Sequence, residues 1–201
     1  MEFLGWLENT GFSVWVRDSN SPFAYTLFLY LHSVGMAALV GLSAMIGLRI
    51  LGVAPRLPLG PMASFFPFIV AGFWVNAVTG VVLLAINATE FLLQTPIFYV
   101  KLTAIALAVV CLRRIRSQVF GDPANLDTRP VPTSGKVLAG AMLGWWTIAV
   151  ISGRLTAYVY YVVFATIGAC LTLAVLVAIA ALAVRSIPRR VAPSDASRQE
   201  V

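Results

Sequence analysis

The chain has 201 residues, 60% of them hydrophobic and only 11% charged, with a formal net charge of +6 and a mean hydropathy of +0.89. Soluble domains carry charge at roughly a quarter of their positions. These figures therefore exclude a soluble enzyme and a disordered chain, and the only cysteines, Cys111 and Cys170, lie inside apolar runs rather than in a disulfide framework. At about 20 apolar residues per crossing, the length predicts an all-α polytopic membrane protein with four to six spans and no separate soluble domain.

Residues 1–21 do not read as a signal peptide, because Glu2 and Glu8 occupy the place of a basic leader and no long apolar core follows. On a helical wheel Phe3, Leu4, Leu7, Gly11, Val14 and Trp15 gather on one side, with Asn9, Thr10, Ser13 and Arg17 opposite. The pattern predicts one short amphipathic helix over 3–16, lying in the membrane interface on the periplasmic side. Asp18, Ser19, Asn20, Ser21 and Pro22 break it before the first long apolar run.

Five spans are expected at about 23–48, 62–86, 96–115, 137–157 and 160–184, within a membrane domain over 22–184, followed by a disordered cytoplasmic tail over 185–201. Pro55, Pro58 and Pro61 punctuate the first connection, Pro96 opens the third span, and Pro123, Pro130 and Pro132 lie in the longest loop. Tyr158, Tyr160 and Tyr161 read as part of an aromatic belt. Eleven of the fourteen basic residues follow spans one, three and five; Arg17 and Arg154 lie on the other side, and Lys101 lies within span three. Lys and Arg are retained in the cytoplasm, so the N-terminus is expected in the periplasm and the C-terminus in the cytoplasm of a bacterial inner membrane. The positive charge is then accounted for by topology, and no nucleic-acid partner is implied.

Helices in lipid associate where small residues let backbones approach. Three stripes of this kind are expected to face inward: Ser33, Ala37 and Gly41 in span one; Gly72, Asn76 and Gly80 in span two; and the Gly140–Gly144 pair in span four. Counting 1.5 Å per residue from the outer ends puts His32, the only histidine, and Asn76 at similar depth, with Thr147 and Cys170 in the same layer. Lys101 and Arg154 lie nearer the rim.

This tier of His32, Asn76, Lys101 and Arg154 has two readings. In one it only sets helix register, with the amide and imidazole satisfied by each other or by backbone, and the cations reaching toward headgroups. In the other it holds a ligand, for which a haem b propionate, a quinone headgroup or a lipid phosphate fits an imidazole, an amide and two cations. His32, Met36 and Met45 follow one another down span one, so His32 with Met36 is also a candidate soft-metal pair for copper. Met36 shares a helix face with His32 and cannot supply the opposite axial position of a haem, which leaves Met142 or a five-coordinate iron. No acidic residue lies in the middle of a span to orient His32 or to carry a proton, so the chain reads as non-catalytic.

Trp6-Leu7-Glu8, Ser21, His32 with Gly35 and Gly41, Leu48-Arg49, Leu51-Gly52, Thr79-Gly80, Pro96 to Lys101, Gly153-Arg154 and Ala157-Tyr158 together resemble an uncharacterised family of bacterial inner-membrane proteins defined by a domain of unknown function. The likeness spans about residues 6 to 160. In arrangement the chain also looks like the wider group that includes copper-resistance D permeases and b-type cytochrome membrane domains, from which its single histidine departs. The resulting expectation is an anchor or ligand-binding membrane subunit, with a periplasmic or membrane partner; the alternatives are a copper-handling permease and a purely structural assembly factor.

Overall fold

The computed structural model describes residues 2–121, 126 and 130–156, and within them every element is helical. The elements are α1 (Glu2–Glu8), α2 (Gly11–Asp18), α3 (Tyr25–Ile50), α4 (Phe66–Ala85), α5 (Ile97–Gln118) and α6 (Thr133–Leu155). A 3₁₀ segment, Gly60–Phe65, leads into α4, and a π-helical turn, Glu90–Gln94, precedes α5. The expected span over 160–184, the aromatic trio of 158, 160 and 161, Cys170 and the 185–201 tail lie outside the described residues.

The N-terminal segment is two helices rather than the single helix expected over 3–16. Thr10 divides them: its extended backbone caps α2, its hydroxyl accepts the Ser13 N–H, and it donates to the Leu7 carbonyl. A threonine followed by Gly11 favours a cap over helix continuation. Ser13, assigned to the polar face, is buried because its hydroxyl reaches the Leu7 carbonyl at 2.8 Å. Phe3, Trp6, Phe12 and Trp15 remain exposed, with Phe3 stacked on Trp6.

Among the described residues three helical stretches are long and apolar enough to cross a membrane: Tyr25–Ile50, Gly60–Ala85 and Thr133–Leu155. Helix α5 is also long, but Lys101, Arg113 and Arg114 fall within any membrane-length window of it. The surface of α4 is apolar where a soluble helix would be polar, with Phe68 64%, Trp74 61% and Val81 65% exposed. A helix that is apolar all round needs an apolar surrounding on the face its neighbours leave open.

The four long helices form two antiparallel pairs, α3 with α4 and α5 with α6, joined where α3 packs on α6. The first seam is a backbone contact. A Cβ on Gly35 would stand 2.7 Å from the Asn76 nitrogen and 2.9 Å from the Gly72 oxygen, and one on Gly72 would stand 3.0 Å from Leu39 N. Leu39, Ile46, Ile69, Ala108, Met142 and Trp146 belong to the core between the pairs.

Two of the three small-residue stripes point the other way from expectation. Ser33, Ala37 and Gly41 are exposed, and the buried face of α3 runs through Gly35, Leu39, Ser43 and Gly47. Gly140 and Gly144 are exposed with nothing near a notional Cβ, while Gly135, Ala139, Met142, Trp146 and Ala149 face inward. Apolar residues dominate every face of these helices, so periodicity of small residues alone does not identify the buried one. The Gly72, Asn76 and Gly80 stripe of α4 does face α3.

Candidate functional site

At one end of the bundle, where α3 and α5 begin and α4 and α6 end, the helices enclose a cavity of about 510 Å³. His32, Ser33 and Met36 line it from α3, Gly80 from α4, Lys101 from α5, and Gly153 and Arg154 from α6. Three of the four expected site residues thus share one space. The fourth, Asn76, is not part of the wall: its side-chain N–H₂ donates to the His32 carbonyl at 2.8 Å, so the amide ties α4 to α3 beneath the cavity. Thr147 does not join the tier either, being exposed with its hydroxyl on the Leu143 carbonyl.

The partner of the imidazole is Thr79, which the sequence reading did not assign to the tier. Its hydroxyl lies 3.1 Å from His32 Nδ1, and is itself 2.6 Å from the Val75 carbonyl and 3.2 Å from the Asn76 carbonyl. Carbonyls only accept, so the single hydroxyl proton points to the backbone, and the oxygen is left to accept from the ring. Nδ1 therefore carries the hydrogen, and a neutral His32 has its lone pair on Nε2, which makes no hydrogen bond to a described residue. Gly80 makes room for the ring, since a Cβ there would stand 3.1 Å from His32 Cε1.

Depth explains why threonine rather than asparagine meets the ring. His32 lies seven residues inside the start of α3 and Thr79 six inside the end of α4, both about 10 Å at 1.5 Å per residue. Asn76 is nearly one turn deeper. The helix ends at Tyr25 and Ala85, rather than at 23 and 86, shift the level of the ring toward Thr79.

Lys101 lies across α6 where that helix has no side chain: a Cβ on Gly153 would sit 3.5 Å from its Cε and 3.7 Å from its Nζ. Arg154 is the next residue. Neither cation makes a hydrogen bond or ion pair with a described residue, and the ion pair seen among them is Arg17–Asp18 at the N-terminal helices. Among the described residues no Asp or Glu lines the cavity, and much of the remaining wall is apolar, including Leu29, Leu83, Phe91 and Phe98.

The connection between α4 and α5 closes one side through Ile86, Asn87 and Phe91. The N-terminal helices hold that connection: the Glu8 carboxylate accepts the Thr89 N–H at 2.7 Å, and Arg17 donates to the carbonyls of Glu8 and Ile86. Nothing in the sequence pattern marked Glu8 or Asn87 for these positions, because the contacts join segments far apart in the chain.

Among the described residues no group of three or more His, Cys, Asp or Glu is placed to hold a metal ion. His32 and Met36 are both on the cavity wall, which gives one imidazole nitrogen and one thioether from a single helix. Comparison with family models, curated proteins and solved structures finds no match for this chain.

Proposed function

We propose that the chain is a bacterial inner-membrane protein with five spanning helices, its N-terminus in the periplasm and its C-terminus in the cytoplasm, acting as a non-catalytic ligand-binding or anchoring subunit. The convergence of His32, Lys101 and Arg154 from three helices on one cavity carries this reading. Lys101 is partly buried within the bundle, where a charged group is costly and is retained where a ligand or pathway uses it, and Arg154 stands exposed at the mouth of the same cavity. The exposed aromatics of α1 and α2 suit the headgroup region above that cavity, which agrees with the outward placement expected from the basic residues.

The test is purification in a neutral detergent, followed by absorbance, metal analysis and mass spectrometry under non-denaturing conditions, on the native chain and on His32→Ala. A co-purifying ligand that the substitution removes from a folded protein supports the reading. A protein empty in every preparation, with His32→Ala altering only stability, leaves the tier a packing device and favours a structural assembly factor.

Haem b has one fitting donor in His32 Nε2, with the two cations suited to propionates, and no second axial ligand on a facing helix among the described residues that line the cavity. Copper has the His32 and Met36 pair in its favour, but a copper ion would enter a cavity that already holds two positive side chains.

A further inference from the structure

The charge of the cavity is unbalanced in a way that selects a ligand. Lys101 lies against α6 at Gly153, whose missing side chain makes room for it one residue before Arg154, and both cations line the cavity. Among the described residues neither has an acidic neighbour in the cavity wall. Lys101 is partly buried, so an anion in the cavity offsets the hydration its ammonium loses, and Arg154, exposed at the rim, adds a second positive group. The rest of the wall is apolar through Leu29, Leu83, Phe91 and Phe98, a surface for hydrocarbon rather than for a small hydrated ion. Beside the cations, His32 presents Nε2 as an acceptor, its other nitrogen being committed to Thr79.

We propose that the cavity binds an anionic amphiphile whose headgroup joins an oxyanion to a hydroxyl, the chemistry of a phosphoglycerol lipid. Lys101 and Arg154 take the oxyanion through charge-assisted hydrogen bonds, His32 Nε2 accepts from the hydroxyl, and the apolar wall takes the upper part of the tail. The proposal rests on the ligand-binding reading above and gives that ligand a chemical class.

The full chain, stripped of lipid in a neutral detergent, is titrated with dihexanoyl phosphatidylglycerol, with dihexanoyl phosphatidylcholine and with glycerol 3-phosphate. The expected result is that the glycerol lipid binds at least tenfold more tightly than either of the others, the choline being repelled by the cations and the soluble phosphate lacking a tail. Lys101→Met and Arg154→Gln each weaken that binding tenfold or more, whereas Arg113→Gln, a basic residue at the other end of the bundle, leaves it unchanged. Equal affinity for the two lipids, equal affinity for glycerol 3-phosphate, or undiminished binding by Lys101→Met overturns the proposal. If a neutral isoprenoid quinone binds and the anionic lipid does not, the ligand class falls while the ligand-binding reading stands; if nothing binds, both fall.

Discussion

His32 and Thr79 meet across the seam between α3 and α4, 47 positions apart in the chain and 3.1 Å apart in space, with the threonine proton already given to the backbone. The arrangement holds the ring in one tautomer. His32 is the only histidine, so a sample labelled with nitrogen-15 in histidine alone reports on it without ambiguity. The expected spectrum for the neutral ring has the hydrogen on Nδ1 and a bare Nε2. Thr79→Ser keeps that pattern, whereas Thr79→Val gives a tautomer mixture and loses about 0.5–1.5 kcal/mol of stability. A native ring protonated on Nε2 overturns the assignment.

The contact of Gly35 with Gly72 makes a second prediction. A methyl group on Gly35 meets backbone atoms at 2.7 and 2.9 Å, which cannot swing away as a side chain could. Gly35→Ala is expected to separate α3 from α4 and cost about 1–3 kcal/mol or more in a reversible unfolding assay in mixed micelles. Gly41→Ala and Gly140→Ala, where a Cβ meets nothing, are expected to be neutral or to gain a few tenths of a kcal/mol, up to about 1, from better helix propensity. Losses at Gly41 and Gly140 as large as that at Gly35 would restore the small-residue stripes of α3 and α6 expected from the sequence.

Trp146 is 3% exposed, and its indole N–H has no hydrogen-bond partner among the described residues. A buried donor without an acceptor costs about 1–3 kcal/mol. Trp146→Phe removes that donor along with some volume, so its net effect is expected to stay within about 1 kcal/mol. Trp146→Ala removes the whole ring from between α6 and the rest of the core and is expected to cost about 3–5 kcal/mol. Thermal denaturation of the two variants side by side separates the polar from the packing contribution.

Orientation is tested by reporter fusions. Basic residues cluster after the expected spans one, three and five, and their retention in the cytoplasm predicts that a fusion after Arg116 is active only with a cytoplasmic reporter. A fusion at Glu90, in the turn beside the cavity, is expected to respond only to a periplasmic one. The reverse pattern would put the cavity on the cytoplasmic side.

The helices themselves were readable from the sequence because apolar runs of membrane length bounded by proline have few alternatives. Four of the five expected long helices lie in the described residues, each within a few positions of its expected ends. Their rotation was less readable. In a helix that is apolar all round, Ser33 and Gly35 are equally plausible inward residues, and only the partner helix decides between them. The same limit governs the site. His32, Lys101 and Arg154 stand out because ionisable groups are rare in such helices, whereas Thr79 carries no charge and became significant only once the rotation of α4 was known. Its position one turn from Asn76, on a face already marked by Gly72 and Gly80, was the available signal.

The cavity draws its imidazole from the α3–α4 pair and its two cations from the α5–α6 pair. Everything that orients the ring, from Thr79 to Asn76 and Gly80, lies within the first pair, so this half is finished as soon as α4 has folded back on α3. The cations arrive later in synthesis, with helices that nothing in the first pair needs for its own seam. Assembly therefore has an order: a proton-accepting nitrogen stands ready first, and the positive charge of Lys101 and Arg154 is added only when the second hairpin docks. The two properties are inherited separately, and a chain altered in α5 or α6 can change what the cavity attracts without disturbing the ring that meets it.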